Sequence, residues 1–134
     1  MLGAEPLPDR AESEAGQLGL DVARLRDACI TLVRKRTYRE FPLHWMHRQL
    51  EQAGLRVLHS QLLPVVMGPR KLHSQLSVCT QYLDELDDSD LDGLARAMRE
   101  RVSQLTRRID VNDELAAGLC FGADYLIEAA LADP

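Results

Sequence analysis

From residue 21 onward the apolar positions fall into runs of helical period, interrupted by one short apolar run and, near the end, one run of period two. Val22, Leu25, Cys29, Leu32 and Val33 make one face of a helix over about 21–37, with Asp21 placed to cap it. Pro42 suits the first position of a second helix, Leu43, Met46, Leu50 and Ala53 form its stripe, and Gly54 is a left-handed stop. "LRVLHSQLL" follows at 55–63, apolar and bounded by Pro64, and reads as a strand. Leu72, Leu76, Cys79, Leu83 and Leu86 predict a third helix over about 70–86. After "LDDSD", where Ser89 and Asp92 resemble a capping box, Leu91, Leu94, Met98, Val102, Leu105 and Ile109 predict a fourth. The last two helices form an antiparallel hairpin over 70–109. Near the end, Phe121, Ala123, Tyr125, Ile127 and Ala129 alternate with more polar neighbours, which is the pattern of a strand over 119–130.

The expected fold is therefore α/β and mostly helical, with two antiparallel strands and an inserted helical hairpin. Its length is that of a single domain over 1–134, but the domain is partial. Residues 1–20 read as a loop rich in Pro and Gly, 21–69 as two helices and a strand, and 70–109 as the hairpin. Leu126 and Cys120 give the last strand a second apolar face. A strand buried on both sides belongs inside a sheet, and two strands do not make a stable sheet alone.

Composition narrows the function classes. Net charge is −5, only 4% of residues are aromatic, and the densest basic run, Arg34–Lys35–Arg36, falls where a helix would end and its dipole favours cations. That argues against a nucleic-acid patch. No apolar run approaches the roughly 18 residues of a membrane span, and "MLGAEPLPDR" lacks the regions of a signal peptide. Cys29, Cys79 and Cys120 each lie on an apolar stripe, as reduced thiols of an intracellular protein do.

Three groups of side chains carry candidate chemistry. Glu5 and Asp9 stand in "GAEPLPD", as candidate bases or as members of a Pro-rich turn. Tyr38 and Arg39 stand in "TYRE" between two helices, placed to orient a substrate and hold a carboxylate or phosphate, or to form a helix corner. Glu40, His44, His47 and Glu51 share helical spacing, which suits metal ligands or, more plainly, a solvated face; we assign no metal site there. Trp45 reads as a packing residue.

The order of elements resembles the C-terminal part of class I S-adenosylmethionine-dependent methyltransferases. "FPLHWMHRQLEQAGLRVLHSQ" looks like the family's last helix and strand six, "CFGADYLIEAAL" like its antiparallel strand seven, and "MLGAEPLPD" like the exit of strand five. The resemblance implies a fragment of a Rossmann-like sheet in which strand seven lies between strands five and six, with 70–109 an insertion. It also implies that Glu5, Asp9, Tyr38 and Arg39 are on the substrate side. The family binds its cofactor at a glycine-rich turn and a ribose-binding acid, and this sequence has no G-x-G. The chain alone is then expected to bind no S-adenosylmethionine. It is expected to be completed by a missing N-terminal half, or to self-associate through the open edge of its last strand. The alternative is a small non-catalytic helical interaction module built on the hairpin; a divergent metal-binding helical protein ranks third.

Overall fold

The computed structural model describes residues 1–35 and 40–133, and of residues 119–121 only the backbone. The protein is mixed α/β and mostly helical: β1 (Leu2–Ala4), α1 (Glu14–Arg34), α2 (Leu43–Gln52), β2 (Leu55–Met67), α3 (Pro69–Asp84), α4 (Asp92–Asp110) and β3 (Leu119–Leu131). The chain divides into two compact units. A sheet unit comprises Met1–Asp9, Arg39–Val65 and Phe121–Pro134; a helical unit comprises Arg10–Tyr38 and Val66–Cys120.

In the helical unit three long helices share one core. Leu18, Val22 and Cys29 of α1, Leu72, Leu76, Cys79 and Leu83 of α3, and Met98, Leu105 and Ile109 of α4 are all buried in it. The ends of the helices fix their directions. His73 near the start of α3 meets Asp110 at the end of α4 (2.9 Å), so α3 and α4 are antiparallel, as the pattern predicted. Arg34 meets Glu85 (3.4 Å) and Asp21 meets Arg108 (3.0 Å), so α1 runs with α3 and against α4. Cys29 and Cys79 are free and buried, and the Cys79 thiol hydrogen-bonds the Cys29 sulfur; that bond and burial push Cys79 upward.

Three local readings change. Residues 14–20 belong to α1 and are not loop, because Ser13 and not Asp21 is the cap: its Oγ accepts from the Gly16 amide (2.9 Å). Asp21 instead lies within α1, where Gln17, Arg101 and Arg108 reach its carboxylate. Asp88 and not Ser89 caps the 3-10 turn Ser89–Leu91 that leads into α4. Leu94, expected in the core stripe, is 50% exposed.

In the sheet unit the strand order is β1-β3-β2, and the three strands are antiparallel. The last strand is thus interior, and it has two partners where the pattern offered one. The added strand is β1, inside the segment read as loop: Leu2 faces Leu126, Gly3 faces Tyr125 and Ala4 faces Asp124. Met1 and Glu5 prolong the ladder through Ile127 and Ala123. The Tyr125 and Ile127 edge of β3, expected to be open, is therefore covered. α2 begins after Pro42 and ends before Gly54, whose φ of +85° turns the chain into β2. No helix among the described residues is long and apolar enough to cross a membrane.

Candidate functional site

Of the sequence-predicted site residues, the structure places Glu5 at one corner of the sheet unit, where β1 ends and α2 begins. Helix α2 has a proline as its N-cap, no side-chain cap and no acid in its first turn. Its free amides need a partner, and the helix dipole favours an anion there. Glu5 supplies both: its Oε1 accepts from the Leu43 amide at 2.7 Å. Its own amide donates to the Ala123 carbonyl (2.8 Å), so the residue is fixed at both ends. One carboxylate oxygen is thereby committed to the helix, and a base at this position acts through the other. Asp9 lies further along the same loop, exposed and in contact with a neighbour. Tyr38 and Arg39 lie outside the described residues.

Tyr125 completes the corner, and the sequence reading placed it only as a strand residue. It is 2% exposed, and its hydroxyl donates to the Phe41 carbonyl at 2.9 Å, one residue before Pro42. Burial, then the Glu5 carboxylate, raise its pKa above the ordinary tyrosine value. Its ring crosses β1 at Gly3, where a Cβ would run into the ring atoms, so no larger residue fits without displacing the ring. Phe41 in turn stacks on Trp45, with centroids 4.6 Å apart and planes at 18°. The available signal was general: a tyrosine on a buried strand face needs a hydroxyl partner.

His44 and Glu51 are exposed, while His47 turns Nε2 out of solvent with no hydrogen-bond partner. Among the described residues, no three His, Cys, Asp or Glu side chains come together as a ligand set.

A second feature lies in the helical unit. Leu25, Ala28 and Leu32 of α1 and Leu94, Ala97 and Met98 of α4 line an open apolar groove of about 540 Å³ with Arg101 at one end. The two alanines leave the floor low, and Leu94 stands at the rim. Past Arg101 the α4 surface continues through Gln104, Arg107 and Arg108. Sequence reasoning missed the groove because it assigned Leu94 to the core.

Compared with protein-family models, with curated proteins and with solved structures, the chain finds no match in any of the three.

Proposed function

We propose that the chain is the C-terminal, substrate-side segment of a class I S-adenosylmethionine-dependent methyltransferase, and that it is inactive alone. The observation that carries this is the sheet order. β3 is reversed between β1 and β2, which therefore run parallel to each other and are joined through helices. Strand seven of the family lies in that way between strands five and six, and α2–Gly54–β2 stands where the family has its last helix and strand six. On this reading the sheet is a fragment of a Rossmann-like sheet. A second observation supports an incomplete layer: Leu2 is 71% exposed opposite Leu126, and Leu58 and Leu62 of β2 are half exposed.

The residues present do not fit the cofactor. The positive-φ glycines are Gly54 at the start of β2, Gly118 before β3 and Gly122 within it, and none lies on a strand-to-helix turn that would cradle a ligand. The donor site then belongs to the missing N-terminal half, which would also cover the sheet. This segment's task is positional. Glu5 and Tyr125 hold the start of α2 as one wall beside the acceptor, and Glu5, Asp9, Tyr38 and Arg39 are proposed on the substrate side; methyl transfer needs such alignment. Buried reduced thiols favour an intracellular compartment.

The test is the size of the native polypeptide. An antibody raised against this chain should precipitate a longer polypeptide, or a stoichiometric complex, that photo-crosslinks radiolabelled S-adenosylmethionine, while the recombinant chain gives no heat with the cofactor in calorimetry. A native protein of 15.1 kDa without a partner would overturn the reading, and so would a micromolar dissociation constant for the chain alone.

The groove favours a second reading, a non-catalytic interaction module in the helical unit. It is apolar and open, with Arg101 at one end, and an amphipathic helix fits such a groove.

A further inference from the structure

The groove on α1 and α4 has to be matched to an occupant. An enclosed small molecule is a poor candidate, because ligand pockets bury most of their ligand and place several polar groups around it. Here Ala28, Leu94, Ala97 and Arg101 are all exposed, and the Thr31 hydroxyl already donates to the Asp27 carbonyl. A helix needs only one face covered, and the groove offers lining residues at helical spacing on both sides: 25, 28 and 32 on α1, and 94, 97, 98 and 101 on α4.

The charge along α4 says which helix. Before Leu94 the chain is acidic, with Asp87, Asp88, Asp90 and Asp92 all exposed. After Ala97 and Met98 it becomes basic: Arg101, Arg107 and Arg108 lie along the surface that continues the groove. That basic end is in surplus. Arg101 and Arg108 share a single carboxylate, Asp21, at 3.6 and 3.0 Å. Along the chain, from the turn before α4 through the groove residues to the last turns of α4, the order is acidic, apolar, basic, and such an order is complementary to itself when reversed. A two-fold axis beside Ala97 and Met98 would set Leu94 of each copy over the other's groove. Each Asp87–Asp90 turn would then lie against the other's Gln104–Arg108 turn, and the same patch would serve both copies.

The geometry points to a second copy of this chain as the occupant, forming an antiparallel two-fold dimer through the α1–α4 groove. This rests on the interaction-module reading and is independent of the methyltransferase reading, since it uses no residue of the sheet unit.

The experiment is sedimentation equilibrium of the chain and three variants across the micromolar range. The unmodified chain should approach twice 15.1 kDa. Leu94→Glu changes a half-exposed side chain and should leave the fold intact while weakening the dimer about tenfold or more, the equivalent of about 1.4 kcal/mol. Gln104→Glu with Arg107→Glu cancels the positive charge of one end of the stripe, and Asp87→Lys with Asp90→Lys cancels the negative charge of the other. Each double variant should associate more weakly than the unmodified chain, and an equimolar mixture of the two, which regains one acidic-to-basic contact, should associate more tightly than either alone. Failure of the mixture to associate more tightly overturns the proposal, as does a dimer that none of the three variants weakens, which would place the contact on the sheet. If the unmodified chain is monomeric throughout, self-pairing is overturned. Anilinonaphthalene sulfonate fluorescence then decides the broader reading. A response abolished by Leu94→Glu keeps the groove as a surface for a different partner, and no response removes the interaction module too.

Discussion

The two units of this chain are built to different degrees of completion. In the helical unit, α1, α3 and α4 each contribute fully buried side chains, among them Leu18, Leu72, Cys79 and Leu105. In the sheet unit, the described residues bury only Tyr125 and Ile127 to that extent, and α2 has no buried residue at all. Burial of apolar surface is the main favourable term in folding. The helical unit therefore carries its own stability, while the sheet unit is held by a backbone ladder and one polar corner. The difference bears on the reading proposed above, in which a partner covers the sheet: Leu2, Leu58 and Leu62 of the sheet unit are exposed, and in the helical unit the exposed large apolar side chains include Leu94 at the groove and Val111.

The largest effect should come from breaking the complete unit. Met98 is 8% exposed in the core between helices. Met98→Asp buries an unpaired carboxylate and should cost about 3–5 kcal/mol, enough to abolish a cooperative thermal transition. Arg99→Asp, one residue on, removes an exposed ion pair with Asp84 (2.8 Å) and should cost at most about 1 kcal/mol. Circular dichroism melts of the two variants separate these outcomes. Similar melting temperatures would mean that Met98 is not in a packed core.

The incomplete unit should break elsewhere and leave the helices standing. Gly3→Ala sets a methyl group against the Tyr125 ring and should cost about 1–3 kcal/mol by forcing the ring aside. Hydrogen exchange should then accelerate at 124–127 and at Leu43, while Leu76 and Leu105 keep their protection. Uniform acceleration in both units would erase the distinction between them. Tyr125→Phe removes only the hydrogen bond to the Phe41 carbonyl and should cost about 1 kcal/mol. It should also flatten the alkaline limb of stability. Tyr125 has a raised folded pKa, so its contribution is intact below the ordinary value of 10.0 and is lost as pH rises beyond it.

The same contrast governs what could be read without coordinates. α3, α4 and the hairpin were legible because Leu72, Leu76, Cys79 and Leu83 repeat at helical spacing, and periodicity reports burial directly. The reversal of β2 and β3 was legible because an intervening hairpin returns the chain to its starting side. β1 was not, since three residues, "LGA", carry no period, and their strand character comes from pairing with Tyr125. Nor was the start of α1. Ser13 and Asp21 are both acceptable caps by composition, and the choice is made by Ala15, Leu18 and Leu20, which tertiary packing buries. At the candidate site, the place of Glu5 in the chain suggested a chemical role for it. Its bond to Leu43 spans 38 residues, a separation that no local pattern encodes.

The smallest effect should come from a group at which the complete unit is least well adapted. Asp27 lies on α1, partly buried, and burial raises its carboxyl above the ordinary value of 3.8, opposed by the charge of Arg26. A raised folded pKa means that the charged form is the one the fold disfavours. Below 3.8 the carboxyl is neutral in both states and costs nothing. As pH rises the unfolded chain ionises first, and stability falls until pH has passed the folded value, after which the penalty is constant. Asp27→Asn removes the charge at every pH. It should therefore raise the melting temperature of the helical unit slightly at neutral pH, with the gain shrinking to nothing on acidification below 3.8. Melts of the two proteins across the acid range measure this. A variant that is less stable at neutral pH, or an advantage that grows as pH falls, would show that Asp27 makes a favourable contact as a charge and that the helical unit has no such weak point.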